Sequence, residues 1–259
     1  MNPPAKPLSG WRVLVPRGGK WGDGVAATLR GYGAIPVIAP LINFASADNA
    51  EALTDALGRL SEGRFNWLVV TSATTVDVLV SQGTRVPAST RIAAVGETTA
   101  AALTLAGYPV DYVPVNDNSA RGLVKEWPIS AAHSSGGGSG RVLIPHSDIA
   151  EPTIVAGLAD LGMDVEYVAA YRTVGVPVSG QIKDDVASGK VRAILVTSGS
   201  VARQIAAQLA PLPDGTVVAC IGPRTAFDAR GAGLTVHAIA ESRSADSLVE
   251  SLVEFAARA

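Results

Sequence analysis

The sequence predicts an α/β fold in which parallel sheets are covered by helices on both faces. Short β-branched apolar runs alternate with longer segments rich in alanine and leucine. Examples are RVLVP from Arg12, NWLVV from Asn66 and RIAAVG from Arg91, each followed by a helix-like segment. This alternation is typical of strand–helix units in a parallel sheet that is buried on both sides. With 259 residues, 47% of them hydrophobic, the chain is long enough for two modest domains.

The two halves of the chain resemble each other. RVLVP from Arg12 recurs as RVLIP from Arg141, and Gly33 has a counterpart at the same spacing in Gly162. A second series of landmarks pairs Thr71-Ser72 with Thr197-Ser198, VGETTA (95–100) with IGPRTA (221–226), and Gly107 with Gly233. Because the landmarks keep their order over about half the chain, they predict a duplicated domain and not a short-period solenoid.

The boundary between the halves has two interpretations. The Gly/Ser-rich segment AAHSSGGGSG (131–140) separates the first block from RVLIP, so the domains could divide there. Alternatively, RVLIP completes the sheet of the first block and RVLVP that of the second, which makes one domain discontinuous. Periodicity alone fits both arrangements.

Composition and charge exclude several classes of protein. No run approaches the roughly 18 apolar residues of a membrane span, and the first seven residues lack the apolar core of a signal peptide, so we expect a cytoplasmic protein with no membrane partner. With 21 basic and 23 acidic residues, the net charge is -2, and no basic run suggests a nucleic-acid partner.

Metal and nucleotide sites are not expected either. Cys220 is the only cysteine, so no internal disulfide can form, and its apolar neighbours predict a buried strand. His133, His146 and His237 lack metal-ligand spacing, and no phosphate-binding glycine motif follows a strand. We therefore predict no metal and no cofactor.

Polar residues follow the predicted strands in both halves. In parallel sheets, ligands bind beyond the carboxyl ends of the strands, where helix N-termini offer free N–H groups. The candidates at these ends are Thr71, Ser72, Gly96, Thr98, Thr99, Thr197, Ser198, Ser200, Gly222 and Thr225. Each one alone is explained as well by helix capping. Their arrangement in matched pairs favours a cradle of hydroxyls and amides for several anionic groups, if the two crevices face each other.

Three further residues have two interpretations each. Arg17 follows the first strand, where it either pairs with a ligand carboxylate or is solvated; His146 is its counterpart in the second half. Arg224 either reaches the crevice or points to solvent. Tyr171, in the extended run VEYVAAYRTV, either borders the cleft or is a half-buried strand residue.

Taken together, these motifs resemble the uroporphyrinogen-III synthase family. The resemblance rests on the order of VLVPRG, LVVTSATTV, IAAVGETTAAAL, VLIP, VAAYRT, ILVTSGSV and IGPRTA, which extend over nearly the whole chain after about residue 10. The family's first strand more often ends in Thr-Arg-Pro, where this chain has Pro16-Arg17-Gly18, and an arginine common after the later equivalent strand is here His146.

The resemblance implies two flavodoxin-like domains joined by a two-stranded linker. On that pattern, residues 1–36 and 175–259 form a discontinuous first domain, residues 43–165 form the second, and residues 37–42 and 166–174 are linker strands. The Gly/Ser-rich segment is then an insertion.

The resemblance also implies an activity without a cofactor. The family's substrate is hydroxymethylbilane, a linear tetrapyrrole with eight carboxylates, which is cyclised to uroporphyrinogen III with inversion of the last ring and loss of water. Departure of the hydroxyl needs a proton donor or a strong hydrogen bond, and we assign that catalytic role to Tyr171. We expect a monomer. The alternative is a non-catalytic tetrapyrrole-binding or regulatory protein of the same fold.

Overall fold

The computed structural model describes residues 6–128, 140–149 and 153–258. Residues 131–139 of the Gly/Ser-rich segment, including His133, lie outside these ranges. The strands are β1 (Arg12–Val15), β2 (Ile35–Ile38), β3 (Ile42–Ser46), β4 (Trp67–Val70), β5 (Arg91–Ala94), β6 (Arg141–Ser147), β7 (Asp164–Gly175), β8 (Ala193–Val196), β9 (Val217–Cys220) and β10 (Ala238–Ile239). The helices are α1 (Gly19–Gly31), α2 (Ala50–Ser61), α3 (Ala73–Ser81), α4 (Glu97–Leu105), α5 (Ala120–Lys125), α6 (Thr153–Asp160), α7 (Gly180–Ala187), α8 (Gly199–Leu209), α9 (Pro223–Gly231) and α10 (Ala245–Arg258).

The chain divides into two compact units. Unit 1 comprises Met1–Asn43 and Val174–Ala259, and unit 2 comprises Phe44–Thr173. Each unit is built on a five-stranded sheet, with the strand orders β10-β9-β8-β1-β2 and β3-β7-β6-β4-β5. These sheets confirm the predicted α/β class.

Unit 1 has the flavodoxin-like strand order. Counted in chain order within the unit, its parallel strands run 2-1-3-4-5. Strands β1 and β8 are buried at its centre because their side chains alternate between two cores. Leu14 packs with α7, α8 and α9, whereas Val13 and Val15 pack with α1 and α10.

Four strands of unit 2 repeat the spatial order of unit 1 in another chain order, whereas the fifth strand, β3, lies at the other edge of the sheet, beside β7. Its central strands β4 and β6 are parallel neighbours, flanked by β5 and β7. The RVLIP strand β6 therefore has the place in its sheet that the RVLVP strand β1 has in the other sheet, and β4 and β5 correspond to β8 and β9. Helices α2, α3 and α4 contribute to the core on one face, and α5 and α6 to the core on the other.

The stretch predicted as the first linker strand is interrupted. Residues 37–42 are the end of β2, an irregular stretch at residues 39–41, and the start of β3. Across this stretch the Ala39 and Leu41 N–H groups still donate to the Val15 and Pro16 carbonyl oxygens, at 2.9 and 3.2 Å. The second predicted linker strand, 166–174, lies within the single long strand β7. This strand is slightly longer at both ends, since it comprises Asp164–Gly175.

Gly22 in α1 keeps the loop after β1 close to the helix. A Cβ atom at this position would lie 2.1 Å from the Arg17 carbonyl oxygen, whereas a Cβ atom at Gly24 in the same helix would meet nothing within 4 Å. Only a residue without a side chain fits between helix and loop at position 22.

We therefore expect Gly22→Ala to destabilise the protein by about 1–3 kcal/mol, since the backbone around Arg17 must move. The matched variant Gly24→Ala should be neutral or stabilising, because alanine favours helix by up to about 1 kcal/mol. Thermal unfolding of both variants measures this. Equal melting temperatures for the two variants would contradict the close approach at Gly22.

Candidate active site

The candidate residues of unit 2 lie at the carboxyl ends of its parallel strands. Thr71 and Ser72 follow β4, and Gly96, Thr98 and Thr99 follow β5. Since β4 and β5 are parallel neighbours in register from Trp67↔Arg91 to Val70↔Ala94, their polar ends come to the same edge of the sheet. The structure thus places these five residues together at one edge of the unit 2 sheet.

Ser72 is both a helix cap and a partner of Tyr171. Its hydroxyl accepts the Thr75 N–H at 3.2 Å, which caps α3. It also lies 3.0 Å from the Tyr171 hydroxyl and 3.1 Å from the Thr75 hydroxyl. Capping and site formation are thus performed by the same side chain.

Tyr171 reaches Ser72 because of a bulge in β7. His146 pairs with Ala169 but Ser147 pairs with Tyr171, so β7 has one extra residue, Ala170, at this point. Along a regular strand, Ala170 and Tyr171 would point to opposite faces. Here both belong to the core beneath α2, α3 and α4, because the bulge turns the tyrosine to that face.

Tyr171 is only 7% exposed and is held through both its ring and its backbone. Its ring packs edge-on against Phe44, with centroids 5.3 Å apart, and its carbonyl oxygen accepts the Asp148 N–H at 3.0 Å. It lines a groove of about 400 Å³ with Phe44 and Ala170 of the strands and with residues of α2 and α3, among them Thr54 and Asp77.

Thr99 occupies the third position of α4 and is buried, with 7% exposure. Its hydroxyl has no hydrogen-bond partner among the described residues. Gly96, the N-cap, supplies no side-chain oxygen to the helix N-terminus. The first N–H groups of α4 and the Thr99 hydroxyl are therefore available to a ligand, while Thr98 is exposed beside them.

Unit 1 repeats this arrangement at the ends of β8 and β9. Ser198 caps α8 by accepting the Val201 N–H at 3.2 Å, with Thr197 half-buried before it. Gly222 caps α9 without a side-chain oxygen, and Thr225, 5% exposed, is again the third helical residue. Within the described residues, the Thr225 hydroxyl also has no partner.

Two of the predicted contacts in unit 1 already have partners inside the protein. The Ser200 hydroxyl accepts from the Arg203 guanidinium at 3.3 Å on the surface of α8. Arg224 pairs with Asp228 at 3.1 Å, one turn along α9. A ligand that used either group would have to compete with these contacts.

Arg17 follows β1 in the loop before α1. Its guanidinium lies over the Trp21 ring, 5.0 Å from the centroid, which is a cation–π contact. Partial desolvation by burial lowers the pKa of the Arg17 guanidinium, which nevertheless stays protonated. No carboxylate of the described residues forms an ion pair with it, so Arg17 can pair with a ligand carboxylate.

His146, the counterpart of Arg17, is not a surface group. It is 7% exposed, its Nδ1 is bonded to the Ser147 carbonyl oxygen, and its ring stacks on Tyr167 with centroids 3.3 Å apart. Burial lowers the pKa of His146, although the Ser147 carbonyl and Asp148 oppose this effect. His146 is thus a packed, mainly neutral side chain where the family pattern has an arginine.

Other expectations concern the cysteine, metal ligands and membrane spans. Cys220 is buried at the end of β9, as predicted, and burial raises the pKa of its thiol to about 11. In the described ranges, no three His, Cys, Asp or Glu side chains are grouped as metal ligands. Over the same ranges, every helix is too short or too polar to cross a membrane.

Comparison with known proteins gives the family. The profile described as uroporphyrinogen-III synthase HemD matches residues 23–250. The chain belongs to the uroporphyrinogen-III synthase family. The porphyrin biosynthesis protein HemD of Ruminiclostridium josui is 29% identical over 260 residues, which are 96% of this chain and 49% of that protein. The chain thus spans about half the length of this curated relative.

Two solved uroporphyrinogen-III synthases share the fold. A mutant enzyme from the extremely thermophilic bacterium Thermus thermophilus has a TM-score of 0.66 and 19% identity, with 96% of this chain and 100% of that chain covered. The enzyme from Helicobacter pylori has a TM-score of 0.63 and 14% identity, with 94% and 98% covered. Because both identities are below 25%, these two comparisons show only that the chain shares the two-domain α/β fold of those enzymes.

The buried His146 predicts a pH dependence of stability. An unfolded histidine has a pKa of about 6.5, and that of His146 is lower in the folded chain. Below about pH 6.5 the unfolded chain therefore binds more protons at this site than the folded chain, so stability is lost as the pH falls.

Urea unfolding from about pH 8 down to about pH 5.5 measures this effect. His146→Gln removes the titrating group, and we expect its free energy of unfolding to fall less steeply with decreasing pH than that of the wild type. Parallel curves for the two proteins would show that His146 is not the source.

Proposed function

We propose that this chain is a uroporphyrinogen-III synthase that cyclises hydroxymethylbilane with inversion of the last ring. The observation that carries the proposal is the family match over residues 23–250, combined with strand ends that carry free hydroxyls and helix N-termini in both units. These groups suit a substrate with many carboxylates, since they bind anions without a large positive charge. A net charge of -2 is consistent with this mode of binding.

The substrate-binding groups proposed here belong to both units. In unit 2 they are Thr71, Ser72, Gly96, Thr98 and Thr99; in unit 1 they are Arg17, Thr197, Ser198, Ser200, Gly222 and Thr225. Arg17 is the cation among them. Thr99 and Thr225, at the third helical positions, are the two buried threonines among them, with 7% and 5% exposure.

The proposed chemistry is mainly positioning. The linear tetrapyrrole closes by itself to the unrearranged isomer, so the protein has to hold the last ring with its substituted carbon towards the electrophilic centre. Orientation of this kind contributes up to roughly 7–11 kcal/mol in favourable systems. No metal or organic cofactor is needed for it, and we propose that the protein acts as a monomer in the cytoplasm.

Tyr171 is the proposed proton donor to the departing hydroxyl. The phenol O–H bond breaks, its proton goes to the oxygen of the leaving hydroxyl, and water departs from the substrate. The carbon that finally closes the macrocycle loses a proton, which restores the phenol. The proposal is supported by the position of Tyr171, which lines the groove between α2 and α3 and has its hydroxyl beside Ser72, two residues after β4.

The test is incubation of the purified protein with freshly prepared hydroxymethylbilane and chromatographic separation of the two ring isomers. We expect isomer III to predominate, and isomer I to predominate without the protein. Tight binding of the tetrapyrrole without isomer III would instead identify a non-catalytic binding protein of the same fold.

Replacing Tyr171 by Phe tests whether the phenol donates the proton to the leaving hydroxyl. The variant keeps the ring packed on Phe44 but cannot give a proton, so kcat should fall roughly a hundredfold with little change in product binding. Tyr167→Phe is the matched control, because Tyr167 lies on the same strand but in the core of the opposite face. Activity of Tyr171→Phe within about twofold of the native rate would exclude the phenol from the mechanism.

A further inference from the structure

Three hydroxyls form a chain that ends at Tyr171. The Thr75 hydroxyl lies 3.1 Å from that of Ser72, which lies 3.0 Å from that of Tyr171. Each of these contacts is short enough for a hydrogen bond. Which atom donates in each contact decides where the phenol proton of Tyr171 points.

Ser72 can satisfy both neighbours in only two ways. A serine hydroxyl has one proton and two lone pairs, and one lone pair of Ser72 already accepts the Thr75 N–H at 3.2 Å. One lone pair and one proton remain for the two hydroxyls. Either Tyr171 donates to Ser72 and Ser72 to Thr75, or Thr75 donates to Ser72 and Ser72 to Tyr171.

Burial of Thr75 distinguishes between these two directions of the hydrogen-bond chain. Thr75 has no exposed surface, and within the described residues Ser72 is the only partner of its hydroxyl. If Ser72 donated to Thr75, the threonine proton would be buried without an acceptor, which is unfavourable. If Thr75 donates to Ser72, the proton left without a partner in the chain is that of Tyr171, which is 7% exposed and lines the groove.

We propose that Thr75 is a positioning residue that fixes the direction of this chain, so that Ser72 donates to Tyr171 and the phenol proton is directed to the ligand. The inference rests on the proposed role of Tyr171. In this direction the phenol is free to give its proton, and the phenolate that results already has the Ser72 O–H as a donor. In the opposite direction the phenol proton would be held by Ser72.

The other unit shows that the threonine hydroxyl is not needed for the cap. Ser198 caps α8 in the same way, and the residue whose N–H it accepts is Val201, which is also fully buried. A valine therefore fits this helix position. Thr75→Val in α3 reproduces the arrangement that α8 already has, so the variant should fold.

Raman spectroscopy tests the direction without any turnover. The tyrosine Fermi doublet has an intensity ratio that differs between a phenol that donates and one that accepts a hydrogen bond. The contribution of Tyr171 is isolated as the difference between wild type and Tyr171→Phe. We expect an accepting phenol in the wild type and in Thr75→Ser, and a shift towards a donating phenol in Thr75→Val. A donating phenol in the wild type would overturn the proposal.

Steady-state kinetics tests the consequence. We expect Thr75→Val to lower kcat about tenfold with KM within about twofold, and Thr75→Ser to restore most of that loss. In a Tyr171→Phe background, Thr75→Val should have no further effect, because it acts through the phenol. Additive losses in the double variant, or an effect on KM alone, would show a merely structural role. If the wild type makes no isomer III, the proposed function fails, and the Raman comparison still decides the direction of the chain.

Discussion

Parallel pairing of the strands is the constraint on which every candidate residue depends. Because β4, β5, β6 and β7 run in the same direction, the residues that follow them meet at one edge of their sheet, and the same holds for β1, β8 and β9. Helix N-termini are brought to that edge as well, since α3, α4, α8 and α9 begin directly after their strands. Hydroxyls, free amides and positive helix ends are thus concentrated at this edge, which is where parallel sheets generally bind ligands.

Parallel pairing alone would not place Tyr171 beside Ser72, but the bulge at Ala170 does. Without the bulge, Ala170 would pair with Ser147 and Tyr171 would face the core under α5 and α6, away from Ser72. With it, the phenol lies beside the cap of α3, at the end of a chain of hydroxyls that begins inside the core. A local irregularity of one strand thereby connects the packing of unit 2 to the proposed chemistry.

The fold class and the polar strand ends were predictable because both follow from local patterns. Alternation of strand and helix runs indicated the sheets, and comparison of the two halves paired Ser72 with Ser198 and Thr99 with Thr225. The same comparison contained a signal for Thr75, since it stands opposite Val201 in the other half. A buried hydroxyl in place of a valine points to a polar partner.

The features that were missed depend on tertiary structure. The bulge is defined by the register between β6 and β7, which VEYVAAYRTV does not reveal, although its adjacent alanines interrupt the alternation of large side chains. The packing of His146 on Tyr167 also depends on that register. Likewise, the contact between Arg17 and Trp21 depends on the close approach of the β1 loop to α1 at Gly22.

Amide hydrogen exchange, measured by mass spectrometry with and without uroporphyrinogen III, tests the central claim that strand carboxyl ends of both units bind the tetrapyrrole. We predict slower exchange in segments 71–75, 96–99, 197–201 and 222–225, and unchanged exchange at the opposite sheet edges, in segments 63–66 and 190–192. Protection at the opposite edges, or unchanged exchange at the carboxyl ends in either unit while the ligand is bound, would contradict the account.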